Sequence, residues 1–160
     1  MRKEREQTCC FTGHRMIPAE VLPELKRELT ETVSTLIQQG VTQFVTGGAL
    51  GFDTLAAEEV LRQRKACPEV HLRLMLPCRG QENRWRLRDK LRYQAILRQA
   101  DEVTWLAEVY YDGCMLKRNR EMIAISGICV VYCVQNKGGT VYTAKRAERA
   151  GLRMIYLMRK

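Results

Sequence analysis

What this chain lacks narrows its class before any motif is considered. No apolar run reaches the roughly 18 residues that a membrane-spanning helix requires. The opening stretch MRKEREQTCCFTG passes from charged residues straight into a strand-like segment, without the apolar core of a signal peptide. A cytoplasmic location and no membrane partner are therefore expected. Internal repeats, low-complexity tracts and Pro/Ser-rich linkers are absent, and only 4 prolines occur in 160 residues. That length fits one domain, residues 1–160. The 46% hydrophobic and 28% charged residues are the mixture of a folded chain rather than a disordered one.

Metal-ligand spacing is also missing. The 7 cysteines include no CxxC pair, the count is odd, and the 2 histidines (His14 and His71) are far apart. No metal and no cofactor are expected. Cys9, Cys10, Cys129 and Cys133 sit in apolar runs, where a free thiol acts as a small hydrophobe. Cys78 and Cys114 fall in a loop and at a helix start, and are the two to watch for reactivity.

Basic charge is plentiful, at +9 net, and unevenly spread. Arg79, Arg84, Arg86, Arg88, Lys90, Arg92 and Arg98 face only Glu82 and Asp89 in the same segment. Such a stretch attracts anions, whether the phosphates of a small ligand or of nucleic acid. On charge alone, a solvated helix face explains it equally well.

Short β-rich runs alternate with helical ones. Strands are predicted at 8–12, 43–46, 70–76, 102–106, 128–134 and 152–157. Helices are predicted at about 19–39, 53–65, 82–99, 115–125 and 141–150. The first of these helices places Val21, Leu25, Leu29, Val33, Leu36 and Ile37 at spacings of three and four, and Gly40 follows it. This order predicts an α/β, Rossmann-like three-layer sandwich with a mostly parallel sheet of five to six strands. The polar or glycine-bearing segments TGHR, TGGALGFD, PCRGQEN, AEVYYDGC and QNKGGT each follow a strand. They share one edge in a parallel sheet, the edge where open α/β sheets bind ligands.

Gly47, Gly48 and Gly51 lie between a strand and a helix, where backbone N–H groups can approach an anion. A tight turn, with Asp53 capping the helix, is the plainer reading. No G-x-G-x-x-G occurs. Gly138, Gly139 and Thr140, beside Lys137, repeat the pattern after the fifth strand, making a two-sided clamp possible. Gly13, His14 and Arg15 end the first strand. Arg15 offers a bidentate donor, and His14 either acts as acid or base or is held in the loop. Asn119 and Arg120 could read a ribose or phosphate, with Tyr110 and Tyr111 nearby to stack on a base. His71 reads as structural.

Taken in order, TGHR, GGALGFDTLAAE, the Glu82/Trp85 pair before Tyr93, NREM at 119–122 and GGT-x-YT at 138–143 resemble the YpsA-like branch of the SLOG superfamily over nearly the whole chain. The resemblance implies a Rossmann-like fold and binding of a nucleotide-derived or other small ligand. The superfamily also holds LOG-type nucleoside-monophosphate phosphoribohydrolases and the DNA-processing protein DprA. LOG-type enzymes carry a GGxGTxxE run, whereas here GGALGFDTLAAE is spaced differently and GGTVYTAK has no glutamate in that place. Relatives tend to carry an Asp two residues after the NRxM run, where this chain has Ala124.

Three functions follow as expectations. The first is a nucleotide-like small molecule bound at the carboxyl edge of the sheet, for sensing or regulation. The second is a phosphoribohydrolase-like enzyme with Glu58, Asp53 or Glu82 as the carboxylate. The third is DprA-like binding of single-stranded nucleic acid through residues 79–98, with Trp85 or Tyr93 stacking on bases.

Overall fold

Alternating side chains on each strand leave both faces of the sheet apolar, so both must be covered. In the computed structural model, which describes residues 2–159, the helices are α1 Arg2–Glu6, α2 Leu22–Gln38, α3 Phe52–Arg64, α4 Leu87–Gln99, α5 Cys114–Ile125 and α6 Gly139–Arg149. The strands are β1 Thr8–Gly13, β2 Gln43–Thr46, β3 His71–Leu76, β4 Glu102–Trp105, β5 Ile128–Tyr132 and β6 Arg153–Leu157. All pairings are parallel, in the order β4-β3-β2-β1-β5-β6.

Going from β1 outward to β4 places α2, α3 and α4 on one face. Returning from β4 to β5 reverses direction and places α5 and α6 on the other, as right-handed crossovers require. Cys9, Phe11, Phe44, Leu72, Leu74, Val130 and Tyr132 point to the first face, against Leu25, Leu29 and Val33 of α2 and Phe52 of α3. Cys10, Val45, Cys129 and Val131 point to the second, against Met122 and Ile123 of α5 and Ala144 and Ala147 of α6. β5 is buried along its whole length because neighbours cover it on both faces. The order of strands turns between β1 and β5, and the loops after these two strands diverge there to open a crevice.

Three rings fix the end of β1 at that crevice. Phe11 stacks on Phe44 at 6.0 Å and meets Phe52 edge-on at 6.2 Å. Burying each ring fully contributes about 1.5–3 kcal/mol. Phe52 lies so close to Gly13 that any Cβ there would enter its ring, which is why β1 ends in glycine.

Several element boundaries differ from the sequence expectation. The basic helix starts at Leu87 rather than 82, because residues 78–86 run as turns with Gly80 at φ +77° and Arg86 extended. α6 starts at Gly139 rather than 141, and α2 at Leu22 rather than 19. β5 stops at Tyr132, leaving Cys133 beyond the strand. The charged lead-in forms the short helix α1. Cys78 and Cys114, the two singled out for reactivity, are both almost wholly buried. Among the described residues no helix is long and apolar enough to cross a membrane.

Candidate functional site

The crevice has two lobes. The smaller, of about 280 Å³, lies at the turn of strand order and is lined by Thr12, His14, Arg15, Asp53, Arg118, Asn119 and Thr140, among others. The larger, of about 660 Å³, lies toward β3 and is lined by Leu50, Gln81, Asn83, Arg84, Trp85 and Tyr110. Arg15 and Met115 belong to both lobes. They touch each other, Arg15 Nη2 to Met115 Sδ at 3.7 Å, and so form a bridge between the two spaces.

Arg118 dominates the smaller lobe. It is 4% exposed. Its Nε donates to Asn119 Oδ1 at 2.7 Å, and its Nη1 donates to the Gly47 carbonyl. Its Nη2 has only the weak acceptor Met115 Sδ at 3.9 Å. Among the described residues its contacts include no ion pair, so a buried positive charge stands against the cavity. Burial pulls its pKa down, the nearby Asp53 carboxylate pushes it up, and Arg15 opposes it as a like charge.

Asp53, 7% exposed, is the carboxylate on the wall of this lobe. It accepts the Ala49 N–H at 3.2 Å and so holds the loop between β2 and α3. Burial raises its pKa, and the Arg118 guanidinium works against that rise. Asn119 donates to Thr143 Oγ1 at 3.0 Å, tying α5 to α6.

His14 accepts the Val134 N–H on Nε2 at 2.9 Å and packs edge-on against Tyr132 at 5.4 Å. Accepting that bond requires a lone pair on Nε2, so the ring is neutral and carries its proton on Nδ1. Burial lowers its pKa in the same direction. The histidine therefore fixes the loop that leads to Gly138 and Gly139.

The expected site residues divide accordingly. Gly13, His14, Arg15, Asp53, Asn119, Gly139 and Thr140 come together on the smaller lobe. Gly47 lies behind it, packed beneath Arg118, and a Cβ there would fall 2.5 Å from the guanidinium. Gly48, at φ +70°, faces Leu76 and Gln81, and Gly51, at φ +77°, lies against the carbonyls of His14 and Arg15. These three shape the loop rather than line the lobe. Gly138 is the N-cap of α6 at φ +113°, with nothing near its missing side chain.

Glu82 sits within the loop that walls the larger lobe, with its Oε1 enclosed and unpartnered. Glu58 is turned away and paired with Arg92 at 2.6 Å. Arg120 is exposed and outside the lining. Arg118, which the sequence reading did not single out, lines the lobe from the same helix. The helical spacing Met115, Arg118, Asn119, Met122 marks that inner face, and counting it from Met115 would have found Arg118. Tyr93, expected as a stacking surface, is buried against Trp85 at 5.2 Å.

Comparison with known proteins agrees with the fold and with the family resemblance. The YpsA model, whose description reads "YspA SLOG family", matches residues 18–159. The chain belongs to this SLOG family. It is 30% identical over 130 residues to a UPF0398 protein of Bacillus pumilus, covering 79% of this chain and 70% of that protein. A UPF0398 protein of Halalkalibacterium halodurans is 27% identical over 128 residues, covering 78% and 68%. Among solved structures, DNA processing protein A from Helicobacter pylori, described for its single-stranded DNA binding mode, superposes with a TM-score of 0.69 at 21% identity. That match covers 99% of this chain and 67% of the other. DprA from Streptococcus pneumoniae gives 0.68 at 16% identity, covering 93% and 49%. The likeness to both DprA structures is one of fold.

Proposed function

We propose that this protein binds a nucleotide or similar phosphorylated small molecule, with its phosphate in the smaller lobe. The observation that carries this reading is Arg118, a buried guanidinium without a paired carboxylate that faces a cavity. A buried cation with a carboxylate nearby but none in hydrogen-bonded contact is only partly compensated, and a phosphate would neutralise it through charge-assisted bonds. Arg15 also lines this lobe, its Nη2 and that of Arg118 reaching the same Met115 sulfur. Gly139 and Thr140 present the first turn of the eleven-residue helix α6, whose N–H groups and dipole favour an anion. Membership in the SLOG family supports the same reading.

Thermal denaturation with ribose 5-phosphate and a panel of nucleoside monophosphates tests it. A ligand at a hundredfold excess over its Kd adds about 2.7 kcal/mol, or several degrees for a domain of this size. No shift with any phosphorylated compound would refute the reading.

A second reading, single-stranded nucleic acid, is favoured by a different observation. Leu87, Val109, Tyr110 and Tyr111 are exposed, with Tyr110 lining the larger lobe, and Arg84, Arg86 and Arg88 flank Leu87 in the chain. Exposed aromatic rings among arginines suit stacked bases and a phosphate backbone. The DprA neighbour described for single-stranded DNA binding has the same fold.

A further inference from the structure

Asp53 puts a carboxylate on the wall of a lobe whose other charged side chains favour an anion. Among the described residues those other charges are Arg15 and Arg118. The hydrogen bonds of both guanidinium groups go elsewhere, those of Arg118 to Gly47, Asn119 and Met115 and that of Arg15 to Met115. Asp53 Oδ2 accepts the Ala49 N–H at 3.2 Å, and the Gly47 backbone favours the charged carboxylate from the same loop. A carboxylate offers about four acceptor positions, so these contacts leave others for the lobe that Asp53 lines. Neither of its oxygens is among the enclosed atoms that lack a partner.

Two guanidinium groups against one carboxylate leave a single positive charge on this wall. A phosphomonoester that keeps one proton carries a single negative charge and balances it. That proton also suits Asp53. A fully ionised phosphoryl oxygen would meet the carboxylate acceptor to acceptor, whereas a P–OH donates to it. Building on the phosphate reading above, we propose that the smaller lobe binds a terminal phosphomonoester together with one proton, held between a phosphoryl oxygen and Asp53, and thereby rejects sulfate esters and phosphodiesters. Those two bring the same single charge but no proton to donate, and their oxygens are too weakly basic to hold one. Leaving a charged acceptor unmatched is what lets a polar site refuse a close analogue. Asp53 is then a specificity-determining residue, while the two arginines supply attraction common to all three ligands.

Phosphomonoesters lose their second proton near pH 6, so at higher pH the proton is drawn from solvent as the ligand binds. Burial raises the Asp53 pKa, which brings the carboxylate toward the basicity of the phosphoryl oxygen with which it shares the proton. The charged and titratable groups around it are Arg118 of α5, Arg15 and His14 after β1, and Cys10 of β1, while α6 contributes the uncharged Thr140. Both arginines stay charged, burial keeps the His14 ring neutral, and the Cys10 thiol is engaged with Cys129 and Ser126. The proton taken up on binding therefore belongs to Asp53 and the phosphate.

Titration calorimetry of the full chain with ribose 5-phosphate, ribose 5-sulfate and the methyl ester of ribose 5-phosphate tests the assignment. Titrations with ribose 5-phosphate at about pH 8, in buffers of different ionisation enthalpy, count the protons taken up, and about one is expected. Uptake means that affinity falls as pH rises, by up to about tenfold per pH unit above the phosphate pKa. At about pH 6, where half of the phosphate carries its proton, ribose 5-phosphate should bind about 5- to 150-fold more tightly than the other two, the range for a charged group left unmatched. Asp53→Asn keeps an oxygen for the Ala49 N–H and removes the charge. It should bind ribose 5-sulfate more tightly than the wild type does, and lose both the preference and the proton uptake. An aspartate that only held the loop would weaken all three ligands alike when replaced. No proton uptake by the wild type, equal binding of ribose 5-phosphate and ribose 5-sulfate, or an unchanged preference in folded Asp53→Asn would each overturn the proposal. The first two of these need no variant, so poor folding of Asp53→Asn leaves the test intact. Equal binding of all three compounds would leave the anion lobe standing, and failure of all three would remove both.

Discussion

The Nη1 of Arg118 donates to the carbonyl of Gly47, so the loop after β2 is fastened to α5 by the same side chain that faces the smaller lobe. The missing side chain at Gly47 makes room for the guanidinium. Gly47→Ala should push Arg118 out of place and cost about 1–3 kcal/mol, as overpacking does. Gly139→Ala meets open space and should leave the melting temperature nearly unchanged. Equal melting temperatures for the two variants would show that the packing beneath Arg118 is not required.

A pH dependence follows from His14. Its folded pKa is lowered by burial from about 6.5, so the folded state holds fewer protons on this ring than the unfolded chain. Its contribution to stability is fully present above about pH 6.5 and is lost as pH falls through the lower, folded value. Protonation also removes the lone pair that accepts the Val134 N–H. His14→Gln offers an oxygen acceptor that does not titrate. Its melting temperature should decline less than that of the wild type between pH 7 and 5, and parallel curves would refute the assignment.

How much of this was legible in the sequence depends on the range of the interaction involved. The fifth predicted strand, ICVVYCV at 128–134, is apolar throughout, as a strand covered on both faces is, and the order of strands and helices predicted the parallel sheet. Leu25, Leu29, Val33 and Leu36 announced one side of α2 through their spacing. The two glycine-bearing loops after β2 and β5 were visible because a missing side chain is a local property. Arg118 was not singled out, because its role depends on the phase of α5 and on a loop 71 positions away. The start of α4 was misjudged because the residues of 82–86 suit a helix, while contacts of the loop with Tyr93 and Gly48 hold its turns. Whether Glu58 or Asp53 faces the crevice could not be read from residue type, since Arg92 turns Glu58 outward from 34 positions away.

Arg15 and Arg120 should separate sharply. If Arg15 holds a phosphate, Arg15→Ala loses a charged hydrogen bond of about 1.5–3 kcal/mol, or roughly 10- to 150-fold in Kd. Arg120 is exposed outside the lobe, so Arg120→Ala should change ribose 5-phosphate affinity less than about twofold on the same energy scale. Titration calorimetry reads both, and the reverse order would transfer the site to the outer face of α5.

The nucleic-acid reading makes its own demand. Affinity for single-stranded DNA should fall by about 0.7 log unit per phosphate contact for each tenfold rise in salt. Arg84→Ala and Arg88→Ala should each reduce that slope. Arg92 is already paired with Glu58, so Arg92→Ala should reduce it least. Binding that is unaffected by salt, or weakened most through Arg92, would remove the exposed rim as a nucleic-acid surface.

The strongest test replaces Arg118 itself. A buried charge without a paired carboxylate is retained at a cost to stability, because its lost hydration is not repaid by a partner in contact. Arg118→Met keeps much of the volume and removes the charge, while giving up the bonds to Gly47 and Asn119. Those losses offset the relief of burying no cation, so the unliganded melting temperature should stay within about 4 °C of wild type, the shift expected for roughly 1 kcal/mol. The ligand response should behave differently, because Arg15, the other cation among the described residues that line the small lobe, is exposed rather than buried. The rise in melting temperature with ribose 5-phosphate should disappear at concentrations that saturate the wild type. A folded Arg118→Met protein that still gains the full shift would mean that the guanidinium serves only to fasten the loop, and that the anion sits elsewhere.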